Sequence, residues 1–204
     1  MTSRAGARLS AVLVPLMLLS PVAAHAETVV TEDREGDAEA IAVHAESVDF
    51  VPAPAETSTD ITRTVVSHGG RRLDVTVHFR DLVLTGEATT YVRVTTPADR
   101  YGVTVEKSPG RRARVSLEAG RVEPAECRGL RARVDGGQDT VAVSVPTACI
   151  GTPTWVRIGV GATRVDVSPT EDGTGTVISS FADDGHRGAI RVNSIGKGPK
   201  VRRG

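Results

Sequence analysis

The feature that most constrains the fold is the run from Cys127 to Val160, CRGLRARVDGGQDTVAVSVPTACIGTPTWVRIGV. Leu130, Ala132 and Val134 alternate there with Arg131 and Arg133, a turn follows at Asp135-Gly136-Gly137-Gln138, and Val141, Val143 and Val145 alternate with Ala142 and Ser144. Period two on both sides of a glycine-containing loop specifies two antiparallel strands, each with one buried face. Turning both apolar rows to one core requires Leu130 opposite Val145 and Val134 opposite Val141, because a one-residue slip exposes every valine. That register sets Cys127 across from Ala148, one residue short of Cys149. Pro146 cannot donate to a ladder and is expected to end the pairing, which frees Cys149 to swing towards Cys127. The expected outcome is a disulfide, Cys127–Cys149. Two buried free thiols are the alternative, and two lone cysteines are a poor metal site.

Strand signals continue upstream. Candidates are Ile61–His68, Arg72–Arg80, Thr89–Thr96, Tyr101–Glu106, Arg112–Leu117 and Arg121–Glu126, with turn residues between them. Trp155–Val160 follows the central hairpin and can continue to Val167. Only 3% of residues are aromatic while valine abounds, so the core is expected to be built from β-branched side chains that suit a pleated surface. Eight or nine short strands without a helical period predict an all-β fold. An antiparallel β-sandwich, Ig-like or jelly-roll, is expected, with a closed barrel as the alternative.

The flanks differ in character. Residues 1–26 read as an export signal, with Arg4 and Arg8, the apolar run Leu9–Leu19 and a small-x-small site at Ala24-His25-Ala26. The apolar run is too short to span a bilayer, and no later stretch is long and apolar enough to do so. The mature chain is therefore expected outside the cell, where a disulfide persists. Residues 27–59 hold nine acidic residues and one arginine, and are expected to be a disordered linker, with Val48, Phe50 and Val51 as a conceivable first strand. The sandwich is expected over 60–168. Residues 169–204 are Gly-rich and end with six Lys or Arg and no acid from His186 onward, which predicts a flexible basic tail.

Three segments, VTVHFRDL (75–82), SPGRRARVSL (108–117) and the run from Cys127 through VSVPTACIG to WVRIGV, resemble uncharacterised secreted β-sandwich proteins of high-GC bacteria. The resemblance covers roughly residues 60–160. It implies an extracellular Ig-like or jelly-roll module and carries no catalytic residue across.

No compact catalytic motif stands out. The histidines beyond residue 26 are His44, His68, His78 and His186, no two of them at metal-ligand spacing, and no serine lies in G-x-S-x-G. Asp135, Asp139, Glu171, Asp172, Asp183 and Asp184 raise the question of calcium, but none of these runs has EF-hand or repeat spacing, and no metal or cofactor is expected. Asp135 and Asp139 flank a turn that favours aspartate.

The sharpest candidate is a set of arginines. By alternation Arg112 and Arg114, and likewise Arg131 and Arg133, point away from the core, and if their strands were neighbours in one sheet they would form a basic outer face that Arg121, Arg128 and Arg157 could extend. Such a face would attract polyanions. The expected role is a secreted, non-catalytic binding or structural module for a protein or an anionic envelope polymer, with nucleic acid not the expected partner. One alternative is a glycan-binding strip of Trp155, Tyr91 and Tyr101. Another is a hydrolase whose site is assembled from distant loops.

Overall fold

The valine rows pair as their period requires. In the computed structural model, which describes residues 26–44, 46–119 and 126–204, the hairpin of β9 (Arg131–Asp135) and β10 (Thr140–Pro146) sets Val134 opposite Val141 and Ala132 opposite Val143. The chain leaves the ladder at Pro146 in a short 3₁₀ turn, Thr147–Ile150, and this turn carries Cys149 to Cys127 with a Cα–Cα separation of 5.6 Å. The disulfide is formed, and neither free thiols nor a thiolate metal site remains.

Two antiparallel sheets enclose the core. The first contains β1 (Glu27–Glu32), β4 (Ile61–His68), β5 (Arg72–Phe79), β10 and β9 in that order. The second runs β3 (Val48–Pro52), β2 (Glu39–Val43), β12 (Thr176–Asp184), β11 (Trp155–Pro169), β6 (Glu87–Thr95), β7 (Arg100–Lys107), β8 (Arg114–Ala119). A last strand, β13 (Lys200–Arg202), pairs with the start of β11. Between the sheets lie Leu73, Val75, Val77, Val141, Val143 and Val145 from one side and Val92, Val94, Val103, Val105, Val156, Ile158 and Val160 from the other. This is an all-β sandwich.

Three expectations are corrected. Residues 27–59 are not a featureless linker: β1 covers the edge of β4, and β2–β3 extends the second sheet beyond β12. Glu27, Glu32 and Asp49 sit on the edge strands β1 and β3, where charge protects an unpaired backbone edge, and most of the other acids lie in the connecting turns, so their density did not mean disorder. The basic tail is also structured. β12 pairs with Gly161–Pro169, β13 with Trp155–Arg157, and the Gly204 N–H donates to the His68 carbonyl at 3.0 Å. The sandwich therefore runs from β1 to β13 rather than over 60–168. The leader expected over 1–26 lies, apart from Ala26, outside the described residues, as does most of the strand expected at Arg121–Glu126. No helix among the described residues is long and apolar enough to cross a membrane.

Between β12 and β13 the chain loops across the outer face of β11. The Gly185 N–H donates to the Val160 carbonyl and the Gly198 N–H to the Ile158 carbonyl, and a Cβ on Gly159 would overlap the Gly196 carbonyl oxygen. Gly159 faces outward, because Ile158 and Val160 face the core, and its missing side chain lets the loop lie against the sheet. Gly159→Ala is expected to cost about 1–3 kcal/mol through this overlap, read as a lowered urea midpoint. Replacing both Cys127 and Cys149 by alanine is expected to cost about 3 kcal/mol, because the closed loop is short. The same urea titration checks it.

Candidate functional site

Four strand ends meet at one corner of the sandwich, and each brings a carboxylate. Asp33 follows β1, and Asp37 lies just before β2, where the chain crosses from one sheet to the other. Gly36 makes that crossing with φ +79°, a conformation L side chains rarely adopt. Asp60 precedes β4, and Asp183-Asp184 end β12.

Backbone amides fix several of these groups. The Ile61 N–H donates to Asp183 Oδ2 at 2.7 Å and the Asp184 N–H to Asp183 Oδ1 at 2.7 Å. The Gly36 N–H donates to Asp60 Oδ2 at 2.8 Å, and Arg80 Nη1 lies 3.1 Å from the same oxygen. Asp184 accepts from the Gly196 and His186 amides. One oxygen from each of Asp33, Asp37 and Asp183 lies within 4.8 Å of the others. Asp33 Oδ2, both Asp37 oxygens and Asp60 Oδ1 are shielded from solvent and have no hydrogen-bond partner.

Burial, reinforced by the neighbouring charges, raises the proton affinity of these acids. Burial pushes the Asp183 carboxyl up to about 8, with Asp37 and Asp33 adding to the shift and the Ile61 amide opposing it. Burial likewise pushes Asp33 up to about 7. Asp37 is raised by burial and then by the Asp60 charge, while Asp60 is raised by burial against the pull of the Gly36 amide and Arg80. The corner can hold protons or a cation.

Beside it opens a cleft of about 460 Å³, lined by Thr31, Glu32 and Asp33, by Arg157, and by residues 186–188 and 197–199 of the loop. Asp33 belongs to both the cleft and the carboxylate cluster. Arg157 and Lys197 are exposed and make no ion pair among the described residues, whereas Arg187 approaches Asp184 at 3.9 Å.

No protein-family model, curated protein or solved structure matches the chain.

The residues singled out in the sequence are dispersed. Arg114, Arg131 and Arg133 are exposed as alternation requires, but β8 is an edge of one sheet and β9 an edge of the other. Arg112 lies in the turn before β8, and Arg133 pairs with Asp135 at 2.8 Å. The four arginines therefore do not share one sheet face. Nor do the aromatics form a strip. Tyr101 packs against the core, Trp155 lies under Lys200 Nζ at 4.4 Å, and Tyr91 stands beside Gly161, six residues along β11 from Trp155 and so about 20 Å away. Tyr91 instead lines an apolar groove with Ile41, Phe50 and Ile195.

Of the acids weighed for calcium, Asp135 and Asp172 bond within their own turns and Asp139 caps the Leu82 amide. Asp183 joins Asp33 and Asp37, which no sequence spacing links to it, while Asp184 is held by the His186 and Gly196 amides. Among the histidines, His44 meets Asp49, His78 lies beside Arg63, and His68 is buried with Nδ1 near the Val201 carbonyl. His186 lines the cleft with both ring nitrogens unpartnered, and burial lowers its pKa.

A carboxyl whose folded pKa exceeds its unfolded value keeps a proton that the unfolded chain releases, so its stabilisation is complete below the unfolded value and is lost as pH rises through the folded one. Asp33 and Asp183 set that loss between the ordinary 3.8 and about 7 and 8. In chelator-containing buffer the melting temperature is expected to fall across neutral pH. Asp33→Asn, which mimics the protonated acid, should flatten the fall and melt higher than the parent at pH 8.

Proposed function

We propose that the protein is an exported, non-catalytic binding module that takes an anionic envelope polymer in the cleft between β1, β11 and the 186–199 loop. The observation that carries this reading is the lining of the cleft: Arg157, Arg187 and Lys197 are presented together around an open depression of about 460 Å³. Arg157 and Lys197, having no ion pair among the described residues, can meet a ligand's charge without first breaking an internal pair. Export is supported by the leader-like composition of residues 1–26, and by a disulfide that suits an oxidising compartment. Converging cations at a concave surface concentrate anions and favour long, repeating ones.

The reading moves the anion site from the arginines of β8 and β9 to the cleft, and the test separates the two. The mature chain is run on an immobilised sulfated polysaccharide across a salt gradient. It is compared with Arg157→Ser/Lys197→Ser and with Arg131→Ser/Arg133→Ser. The first pair is expected to weaken binding about tenfold or more at low salt and to elute markedly earlier. The second pair should elute nearly with the parent. Equal retention of the parent and the cleft variant would sink the proposal.

A further inference from the structure

We propose that the outer face of the second sheet binds an anionic amphiphile, a free long-chain carboxylate, with its head at Arg93 and its tail laid along β11. The site is the groove of about 390 Å³ that Tyr91 lines with Ile41, Phe50 and Ile195, a size typical of small-molecule sites. Its floor is bare because Gly161 and Ala182 carry almost no side chain. One wall is the cross-strand pair Ile41–Phe50 of β2 and β3, and the other is Tyr91, which stands opposite Gly161. The loop after β12 roofs the groove: a Cβ on Gly161 would sit 3.5 Å from the Ile195 side chain. That roof is fixed at both ends. The Ile190 N–H donates to Glu39 Oε2 at 2.8 Å, and the Gly196 N–H donates to Asp184 Oδ2 at 2.7 Å. A groove held in shape in this way binds without first having to order itself.

Charge selects the head group. Arg93 lines the groove, is half-buried, and makes no side-chain hydrogen bond or ion pair among the described residues. Arg191, on the roof, is exposed and likewise makes no ion pair among them. The acids of the groove are already engaged. Asp184 accepts from the His186 and Gly196 amides and approaches Arg187 at 3.9 Å. Asp183 turns its carboxylate to the opposite side of the sheet, where it accepts from the Ile61 amide. The groove therefore sets unpartnered guanidinium groups beside an apolar floor. That combination favours an anion joined to an apolar tail, and it repels a cation on the same tail.

The face also has a direction. Arg93 stands opposite Gly159 at one end, and the outward side of β11 continues through Gly161 and Thr163 to Val165 and Val167. Val167 and its cross-strand partner Ile178 are both 67% exposed, and Val43 lies exposed two residues beyond Ile41 on the same side of β2. Single exposed apolar residues need no partner, but these extend the groove as one strip. The strip runs about 20 Å from Gly159 to Val165 at the usual strand rise. An acyl chain reaches about 15 Å, half the hydrocarbon core of a bilayer. Ile195 covers the middle of the strip, so a tail can lie beneath it lengthwise, whereas the flat surface of a bilayer or of a second sheet does not reach the Gly161 floor.

The test is calorimetric titration of sodium dodecanoate, kept below its micelle concentration, into the mature chain near neutral pH. Dodecyltrimethylammonium, a cation with the same tail, is titrated separately. Saturable dodecanoate binding is expected with a dissociation constant on the order of 0.1 mM, as for one acyl chain entering a bilayer. The cation should bind roughly tenfold more weakly or worse. Arg93→Gln should weaken dodecanoate roughly tenfold and leave the cation unweakened, a split that a folding defect does not produce. Val167→Ser/Ile178→Ser, at exposed positions that tolerate the change, should weaken both probes about threefold or more. Arg114→Gln, on β8, should match the parent. Absence of saturable dodecanoate binding, equal binding of the cation, or undiminished dodecanoate binding in Arg93→Gln or in Val167→Ser/Ile178→Ser would each overturn the proposal. So would capture by phosphatidylglycerol vesicles that Val167→Ser/Ile178→Ser abolishes, which would assign the face to a bilayer. A dimer that dodecanoate does not dissociate would assign it to a second copy, with the same consequence. The outcome does not depend on what occupies the cleft.

Discussion

The structure depends on the hydrogen-bonding demand of one strand. β11 runs for fifteen residues through the second sheet, and both of its edges must find partners because its inward side chains are buried. β6 satisfies one edge throughout Arg157–Val165. The other edge is shared: β13 takes the first residues, β12 takes the rest, and single amides from Gly185 and Gly198 fill the gap between. A buried peptide group left unpaired costs about as much as a lost hydrogen bond. The C-terminal third of the chain is thus part of the fold although it reads as polar and Gly-rich. Its glycines are what let it cross the sheet at Gly159.

The same demand creates the acidic corner. Covering the edge of β4 with β1, and then extending the second sheet with β2, forces the chain to change sheets within a few residues. Strand ends carry turn-forming residues, and aspartate is favoured there because it bonds local amides. The Asp184 amide bonds Asp183 in this way, whereas the Gly36 and Ile61 amides reach Asp60 and Asp183 from 24 and 122 positions away. Asp37 accepts on neither oxygen, and the convergence of these acids produces a charge that the amide bonds do not neutralise. Burial and mutual repulsion raise the affinity of these groups for protons.

What was legible in the sequence follows from range. The β9–β10 register, the disulfide and the valine rows are written in contiguous period-two patterns, and the structure keeps them residue for residue. β1 was hidden because only Val29 of ETVVTE packs against the core, while Val30 is 53% exposed, so no apolar row marks it. β12 was hidden for the same reason, with Val177 and Ile178 left outside. The carboxylate site could not be read because Asp33 and Asp183 lie 150 positions apart and carry no mutual spacing. One usable signal was present: two glycines, Gly159 and Gly161, on the outward side of an otherwise valine-rich strand, which imply that other backbone lies over it.

A core of this composition explains why such cross-links matter. Phe79 is the one Phe, Tyr or Trp buried in the core among the described residues, where a larger aromatic set would each bury 150–250 Å². Valine buries less and contributes roughly 1.5–3 kcal/mol when fully enclosed, a gain that the entropy of ordering each residue largely offsets. Extra stability in such a sandwich comes from constraints that act across the sequence. The Cys127–Cys149 bridge ties the start of the β9–β10 hairpin to its end. The Asp33–Asp37–Asp183 corner sets the end of β1 and the start of β2 against the end of β12, and crowds three carboxyls together in doing so. Protons held by Asp33 and Asp183 ease that charge at low pH, and the tie weakens as pH rises through about 7 and 8.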